Sequence, residues 1–130
     1  MKHAFLIIAH ADYEVLRVLV DMLDNKCCDI YIMIDKKAPL PTQLHVKYAR
    51  LFMLKKRIDI RWGHVSLIKA EMQLFEIASA NGSYEYYHLL SGNDLLIKPL
   101  NYVFDFFDQN RGKEFVGFTS GTHWLEKVMK

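Results

Sequence analysis

Hydrophobic and polar positions fall into short blocks whose period alternates between strand and helix along the chain. Ala4 to Ala9 is an unbroken apolar run and reads as a buried strand. Leu16, Leu19, Val20 and Leu23 then recur at helical spacing and predict an amphipathic helix to about Asp24, with Asp12 placed to cap it. Asp29 to Ile34, rich in β-branched residues, predicts a second strand that ends at Asp35. Ala38 to Thr42 holds two of the three prolines and predicts a loop. Leu44 to Leu54 is ambiguous, with a short helix carrying Val46, Ala49, Leu51 and Phe52 as its reading. Ile58 to Ile60 reads as a short strand ending at Arg61-Trp62-Gly63.

A clearer helix comes next, with Val65, Ile68, Met72 and Phe75 on one stripe and Asn81-Gly82 as its stop. Tyr84 to Leu90 predicts a strand that breaks at Ser91-Gly92-Asn93-Asp94. Pro99 suits a first helical turn, and Leu100, Val103, Phe104 and Phe107 form the expected buried face of the helix behind it. Glu114 to Phe118 is the last expected strand. This alternation predicts an α/β fold, a Rossmann-like, mostly parallel sheet flanked by helices, in a single domain over residues 1–130. Trp124, Leu125, Val128 and Met129 in the tail have no evident partner, so the architecture is expected to be truncated, and to self-associate or to need a C-terminal half.

Composition narrows the class. At 52% hydrophobic residues over 130 positions the chain has material for a core, and its net charge of +2 predicts no nucleic-acid partner. The only cysteines, Cys27 and Cys28, are adjacent, which excludes a secreted disulfide framework and suits a reducing interior. The apolar run at the N-terminus is too short for a transmembrane segment and breaks at His10 and Asp12, so a cytoplasmic location is expected.

In a parallel sheet every strand ends on the same edge, and the turns after the strands converge there. Those turns hold His10, Asp35, Lys37, Trp62, Ser91, Asn93 and Asp94. The mixture suits a nucleotide: an aromatic or amide edge for the base, a carboxylate for ribose hydroxyls, a cation for phosphate. Taken singly, each residue also has a purely structural reading: His10 as a backbone partner, Asp35 and Asp94 as turn residues, Trp62 as a lid on the core, Lys36 and Lys37 as a solvated face. Phe104, Phe106 and Phe107 read as core rather than as a ligand box. The chain lacks GxGxxG, GxxxxGK[ST] and GxSxG, and its six histidines lack HExxH or HxxxH spacing.

Four blocks, in order, resemble one family. They are LIIAHADYEVLRVLVDML, IYIMIDKK, RWGHVSLIKAEMQLF and YYHLLSGNDLLIKPLNYV. They are similar to the first strand with its His-containing turn, the strand ending in Asp-x-Lys, the Trp-Gly-x-x-Ser segment and the Gly-x-Asp block of the core-2/I-branching β-1,6-N-acetylglucosaminyltransferase family, which includes protein xylosyltransferases. The resemblance runs from about Ala4 to Phe118 and covers the N-terminal, donor-binding half of that family. It implies a variant GT-A fold and inverting transfer of a GlcNAc- or xylose-like sugar from a UDP-sugar to a glycan acceptor such as a surface polysaccharide, with no divalent metal and no other cofactor.

By motif match, the resemblance puts Ile8, Ala9 and His10 against the uridine and Asp35 and Lys37 at the same nucleoside pocket. Trp62 falls beside the nucleotide, and Asp94 near the donor sugar or the acceptor. Leu96 stands where the family commonly has Pro, and the family's catalytic carboxylate and diphosphate-binding Arg and Lys belong to a half that this chain does not match. No residue is therefore assigned as catalytic base, and a non-catalytic nucleotide-sugar-binding module is the alternative. A doubly wound receiver-type domain is disfavoured, because only Asp12 represents the acidic cluster after its first strand.

Overall fold

The computed structural model describes residues 2–115. The chain divides into two compact units, Met1–Leu100 and Asn101–Lys130. The first contains β1 (His3–Ala9), α1 (Tyr13–Met22), β2 (Cys28–Ile34), β3 (Arg50–Met53), α2 (Val65–Asn81) and β4 (Tyr86–Ser91). Its four strands are all parallel and lie in the order β3-β2-β1-β4. The α/β class and the parallel sheet are thus as the sequence predicts.

Chain direction reverses across this sheet. From β1 the chain steps to β2 and then β3, and then crosses back over both to place β4 on the other side of β1. Right-handed crossovers in opposite directions put α1 and α2 on opposite faces. The side chains agree: Ala70, Leu74 and Ala78 of α2 share a cluster with Ala4, Leu6, Tyr31 and Met33. Leu16, Leu19, Val20 and Leu23 of the α1 segment are fully buried outside that cluster.

Three local readings need correction. Leu44–Leu54 is not a helix. The Asp24 carboxylate accepts the N–H groups of Lys47, Tyr48 and Ala49 at 2.7–2.8 Å, donors that a helix would spend on its own carbonyls, and Arg50–Met53 pairs with β2 instead. At the other end of α1 the Tyr13 hydroxyl donates to the Pro39 carbonyl. The β2–β3 connection is therefore a strap held at both ends of α1. Ile58–Ile60 is not a strand either: it meets the end of β2 through Lys36 N–H to Ile58 C=O and Ile60 N–H to Asp35 Oδ1, without a ladder.

The third correction concerns α2. Its periodicity is right but its buried face is Ser66, Ala70, Leu74 and Ala78. Val65, Ile68 and Met72 are 50%, 58% and 61% exposed, and only Phe75 of the expected stripe leans on the core. The reason is shape. The sheet presents Tyr31, Phe52 and the adjoining Tyr84 and Tyr87 to this helix, and close approach to such rings needs small residues on the helix side.

In the second unit, α3 (Leu100–Gln109) begins directly after Pro99, as expected. Its expected buried face of Leu100, Val103, Phe104 and Phe107 is only half-buried. Phe106, Phe107 and Phe115 pack their rings 5.2–5.4 Å apart. Glu114 and Phe115 are outside any strand; the remainder of the expected last strand, and Trp124, Leu125, Val128 and Met129, lie outside the described residues.

The N-terminal edge of the sheet holds a buried charge. Asp29, 0% exposed, accepts from Lys2 Nζ and Arg50 Nε at 3.1 Å and from Arg50 Nη2 and the Tyr84 hydroxyl at 2.6 Å. The Tyr31 hydroxyl sits 2.6 Å from that of Tyr84 and accepts from Asn81 Nδ2. Burial by itself would raise the Asp29 pKa, but the bonds from Arg50, Tyr84 and Lys2 outweigh it and hold the carboxyl at about 2. Nearby, His3 Nδ1 lies 2.9 Å from His88 Nε2, and burial pushes His88 down to about 4. Cys27 and Cys28 are free thiols, the latter buried and pushed up to about 12 by desolvation.

The His88 and Asp29 shifts give the fold two acid limbs. His88 is held neutral in the fold, so its contribution is full above the ordinary value of 6.5 and is lost as pH falls toward about 4. Asp29 is held ionised, so its contribution is full above 3.8 and is lost as pH falls through about 2. Urea titrations across this range are expected to show Asp29→Asn less stable than the parent by about 2 kcal/mol near neutrality, with the gap closing only below the usual carboxylate range.

Candidate functional site

The register of the sheet brings three strand ends together. Ala9 pairs with Ile34 and Ile8 with Ser91. Asp35 N–H then bonds the Ala9 carbonyl at 2.9 Å, and Gly92 N–H bonds the Ile8 carbonyl at 2.8 Å. The strand order reverses between β1 and β4, so the strand ends at Ala9–His10 and Ser91–Asp94 flank the topological switch point, where open α/β sheets receive ligands. Ile8 is half-buried against the α2 cluster, Ala9 is buried, and His10 stands exposed beyond the strand end.

Gly92 sets how close these ends come. A Cβ there would lie 2.5 Å from the Ala9 Cβ, so the β4 exit packs directly on the β1 exit. The turn beyond it is closed from within: Asp94 Oδ2 accepts the Ser91 N–H at 2.7 Å, and Ser91 Oγ accepts the Asn93 N–H at 3.1 Å. Asp94 is exposed on this turn.

At the β2 exit Asp35 is buried while Lys37 is not. Asp35 Oδ1 accepts the Lys37 and Ile60 N–H groups at 3.1 and 3.3 Å. The Lys37 ammonium lies 2.9 Å from Asp35 Oδ2, 2.5 Å from Asp59 Oδ1 and 2.7 Å from the Ile60 carbonyl. Desolvation opposes ionisation of Asp35, but the bonds from Lys37 and Ile60 prevail and lower its pKa. The bond to Asp59, then that to Asp35, raises the pKa of Lys37, which therefore stays cationic. Arg57 donates to the Ala38 carbonyl at 2.8 Å and steadies the start of the strap.

This clasp carries Trp62. Ile60 is tied to Asp35, and the next residues form a built turn. Arg61 N–H donates to Ser66 Oγ at 2.8 Å, His64 N–H to the Arg61 carbonyl at 3.1 Å, and Ser66 N–H to His64 Nδ1 at 3.1 Å, so His64 caps α2. Gly63 takes φ +68°, a left-handed conformation that glycine adopts at little cost. On this braced turn Trp62 is 93% exposed, so it is not a lid on the core.

The residues picked from sequence thus share one edge of the sheet, but they do not all touch. Asp35 and Lys37 are bonded to each other, whereas among the described residues no hydrogen bond or ion pair joins His10, Trp62 or Asp94 to them. Asp12 is a correction: it holds the N-cap position of α1 but takes φ 52°, ψ 52°, and its side chain makes no cap bond. Capping side chains reach the next turn from an extended backbone, not from a left-handed one. Sequence reasoning passed over Gly92 and Asp59. Gly92 was legible as the glycine directly after a strand; Asp59, flanked by two isoleucines, carried no signal beyond alternation. No group of three or more His, Cys, Asp or Glu among the described residues is placed to hold a metal ion, and no helix among them is long and apolar enough to cross a membrane.

Residues 3–130 match the family model described as Core-2/I-Branching enzyme. The chain belongs to the Core-2/I-Branching enzyme family. Among curated proteins, it is similar to xylosyltransferase oxt of Drosophila pseudoobscura pseudoobscura, with 29% identity over 75 residues. That match takes in 57% of this chain and 8% of the relative's length, so the chain spans a small part of that protein.

In this family member the close contact between strand exits is directly testable. Gly92→Ala is expected to destabilise the fold by about 1–3 kcal/mol, the usual cost of overpacking. Ala9→Gly in the same chain removes the atom that the new methyl group meets and is expected to recover much of the loss, as read from denaturation midpoints.

Proposed function

We propose that this chain is the donor-binding part of a glycosyltransferase that moves a GlcNAc- or xylose-like sugar from a UDP-sugar to a glycan acceptor, with inversion. The observation that carries the reading is that His10, the Asp35–Lys37 clasp and the Ser91–Asp94 turn follow three neighbouring strand ends on one edge of the sheet in a member of the Core-2/I-Branching enzyme family. In this reading the uracil and ribose lie across Ile8, Ala9 and His10, with Asp35 at the nucleoside, and Trp62 stacks on a ring of the ligand from its braced turn. Asp94 faces the donor sugar or the acceptor.

Lys37 reaches the ligand by exchanging partners. Its bond to Asp35 is backed by a buried carboxylate, whereas Asp59 is exposed and can return to water when an anion of the ligand takes its place. Basic side chains then offset the charge of the leaving diphosphate, the work that a divalent metal performs elsewhere. Asp35, Asp59 and Asp94 are each committed to a cation or an N–H donor, and none is assigned the role of general base. The reaction proceeds in the cytoplasm in this proposal.

Calorimetry with UDP, UDP-GlcNAc, UDP-xylose and ADP, each with and without chelator, tests the reading. Uridine ligands are expected to bind, ADP to bind far more weakly, and chelator to change nothing. Trp62 buries almost nothing, so Trp62→Ala is expected to leave the unfolding midpoint unchanged and to weaken UDP by about 1–3 kcal/mol, the range for a base stacked on an aromatic ring. Equal affinity for ADP and UDP, or a Trp62→Ala affinity equal to the parent's, sinks it.

A further inference from the structure

The stripe of α2 that the sequence marks as core is left outside. Val65, Ile68 and Met72 are each at least half exposed, and Phe75 is half-buried against the core. Their spacing of three, four and three is that of a heptad seam, with Val65 and Met72 at a and Ile68 and Phe75 at d. The helix is 17 residues long, enough for two heptads. Its opposite side, Ser66, Ala70, Leu74 and Ala78, is already spent on the sheet. The outer stripe therefore fits a second helix of the same character.

We propose that this stripe is a self-association face, on which a second copy of the chain packs its own α2 antiparallel. The charges beside the seam choose the occupant and its direction. Lys69 and Glu76 fall at e, Glu71 and His64 at g. Among the described residues neither Lys69 nor Glu76 makes an ion pair. A parallel pair of helices sets Glu71 against the partner's Glu76, and His64 against the partner's Lys69, which repels or gains nothing. An antiparallel pair centred on Ile68 and the partner's Met72 sets Lys69 near the partner's Lys69 and Glu71 near the partner's Glu71. Shifted by one heptad, so that Met72 meets the partner's Phe75, the antiparallel pair sets Lys69 against the partner's Glu76, twice by symmetry. In that register Ile68 covers the partner's Ser79, whose hydroxyl is satisfied within its own helix by a bond to the Glu76 carbonyl at 3.1 Å.

Sedimentation equilibrium of the whole chain over a wide concentration range tests this. A reversible dimer is expected, abolished by Met72→Asp with an unchanged circular-dichroism spectrum. Lys69→Glu and Glu76→Lys, made singly, are each expected to weaken the dimer about tenfold, since two attractive pairs become two repulsive ones. The double variant is expected to recover the parent affinity. A chain that stays monomeric at every concentration overturns the proposal. So does a dimer that survives Met72→Asp, or a double variant no tighter than the single ones.

Discussion

The structure hangs on the position of β1 between two parallel neighbours. β2 pairs with all seven residues of this strand and β4 with six, and six of the seven are buried. With α1 covering one face of the sheet and α2 the other, β1 needs apolar side chains on both faces, which is why the segment from Ala4 to Ala9 shows no alternation. The same double pairing fixes what happens where β1 ends. Asp35 and Gly92 each donate to a carbonyl of the last two β1 residues, so the exits of β2 and β4 are held at the same level as His10. The site is in this sense a consequence of register: slipping either neighbour by one residue would turn its side chains over and move its exit turn.

Charge is handled differently at the two ends of the sheet. At the N-terminal end Asp29 is wholly buried and answered by two cations and a tyrosine hydroxyl, an arrangement that locks β2, β3 and the segment before β4 together. At the C-terminal end Asp35 is also buried, but its cation Lys37 is shared with exposed Asp59. Exposed pairs contribute little to stability, because water and salt compete for both partners. One end is therefore built to stay closed, while the other keeps a cation whose outer partner is replaceable. The proposed donor site draws on that replaceable partner.

Much of the architecture was legible in the sequence because it arises from local pattern. The apolar run of β1, the β-branched run of β2 and the Ser-Gly-Asn-Asp break after β4 each record burial or turn chemistry in the residues themselves. The candidate edge was legible for the same reason, since polar residues directly after buried strands have one place to go in a parallel sheet. The strap was not legible. Its fold is dictated by Asp24 and Tyr13, more than twenty residues away, whose bonds to Lys47, Tyr48, Ala49 and Pro39 leave no trace in local periodicity. Asp12 shows the converse limit: the right residue type stood at the right position, but a left-handed backbone aimed its side chain elsewhere.

The misread face of α2 carries the more general physical point. Hydrophobic periodicity reports which residues prefer to leave water, but it does not report which of two apolar faces the sheet can accept. A sheet surface crowded with Tyr31, Phe52, Tyr84 and Tyr87 already supplies the bulk, and the helix that packs on it must supply hollows. Alanines and a serine at four-residue spacing make such a surface, and Leu74 fills the remaining space. The larger side chains, Val65, Ile68 and Met72, are then excluded by volume rather than by polarity. Keeping them in water costs free energy. A helix that carries that cost on one face while packing small residues on the other is shaped for two neighbours, and this sheet is only one of them.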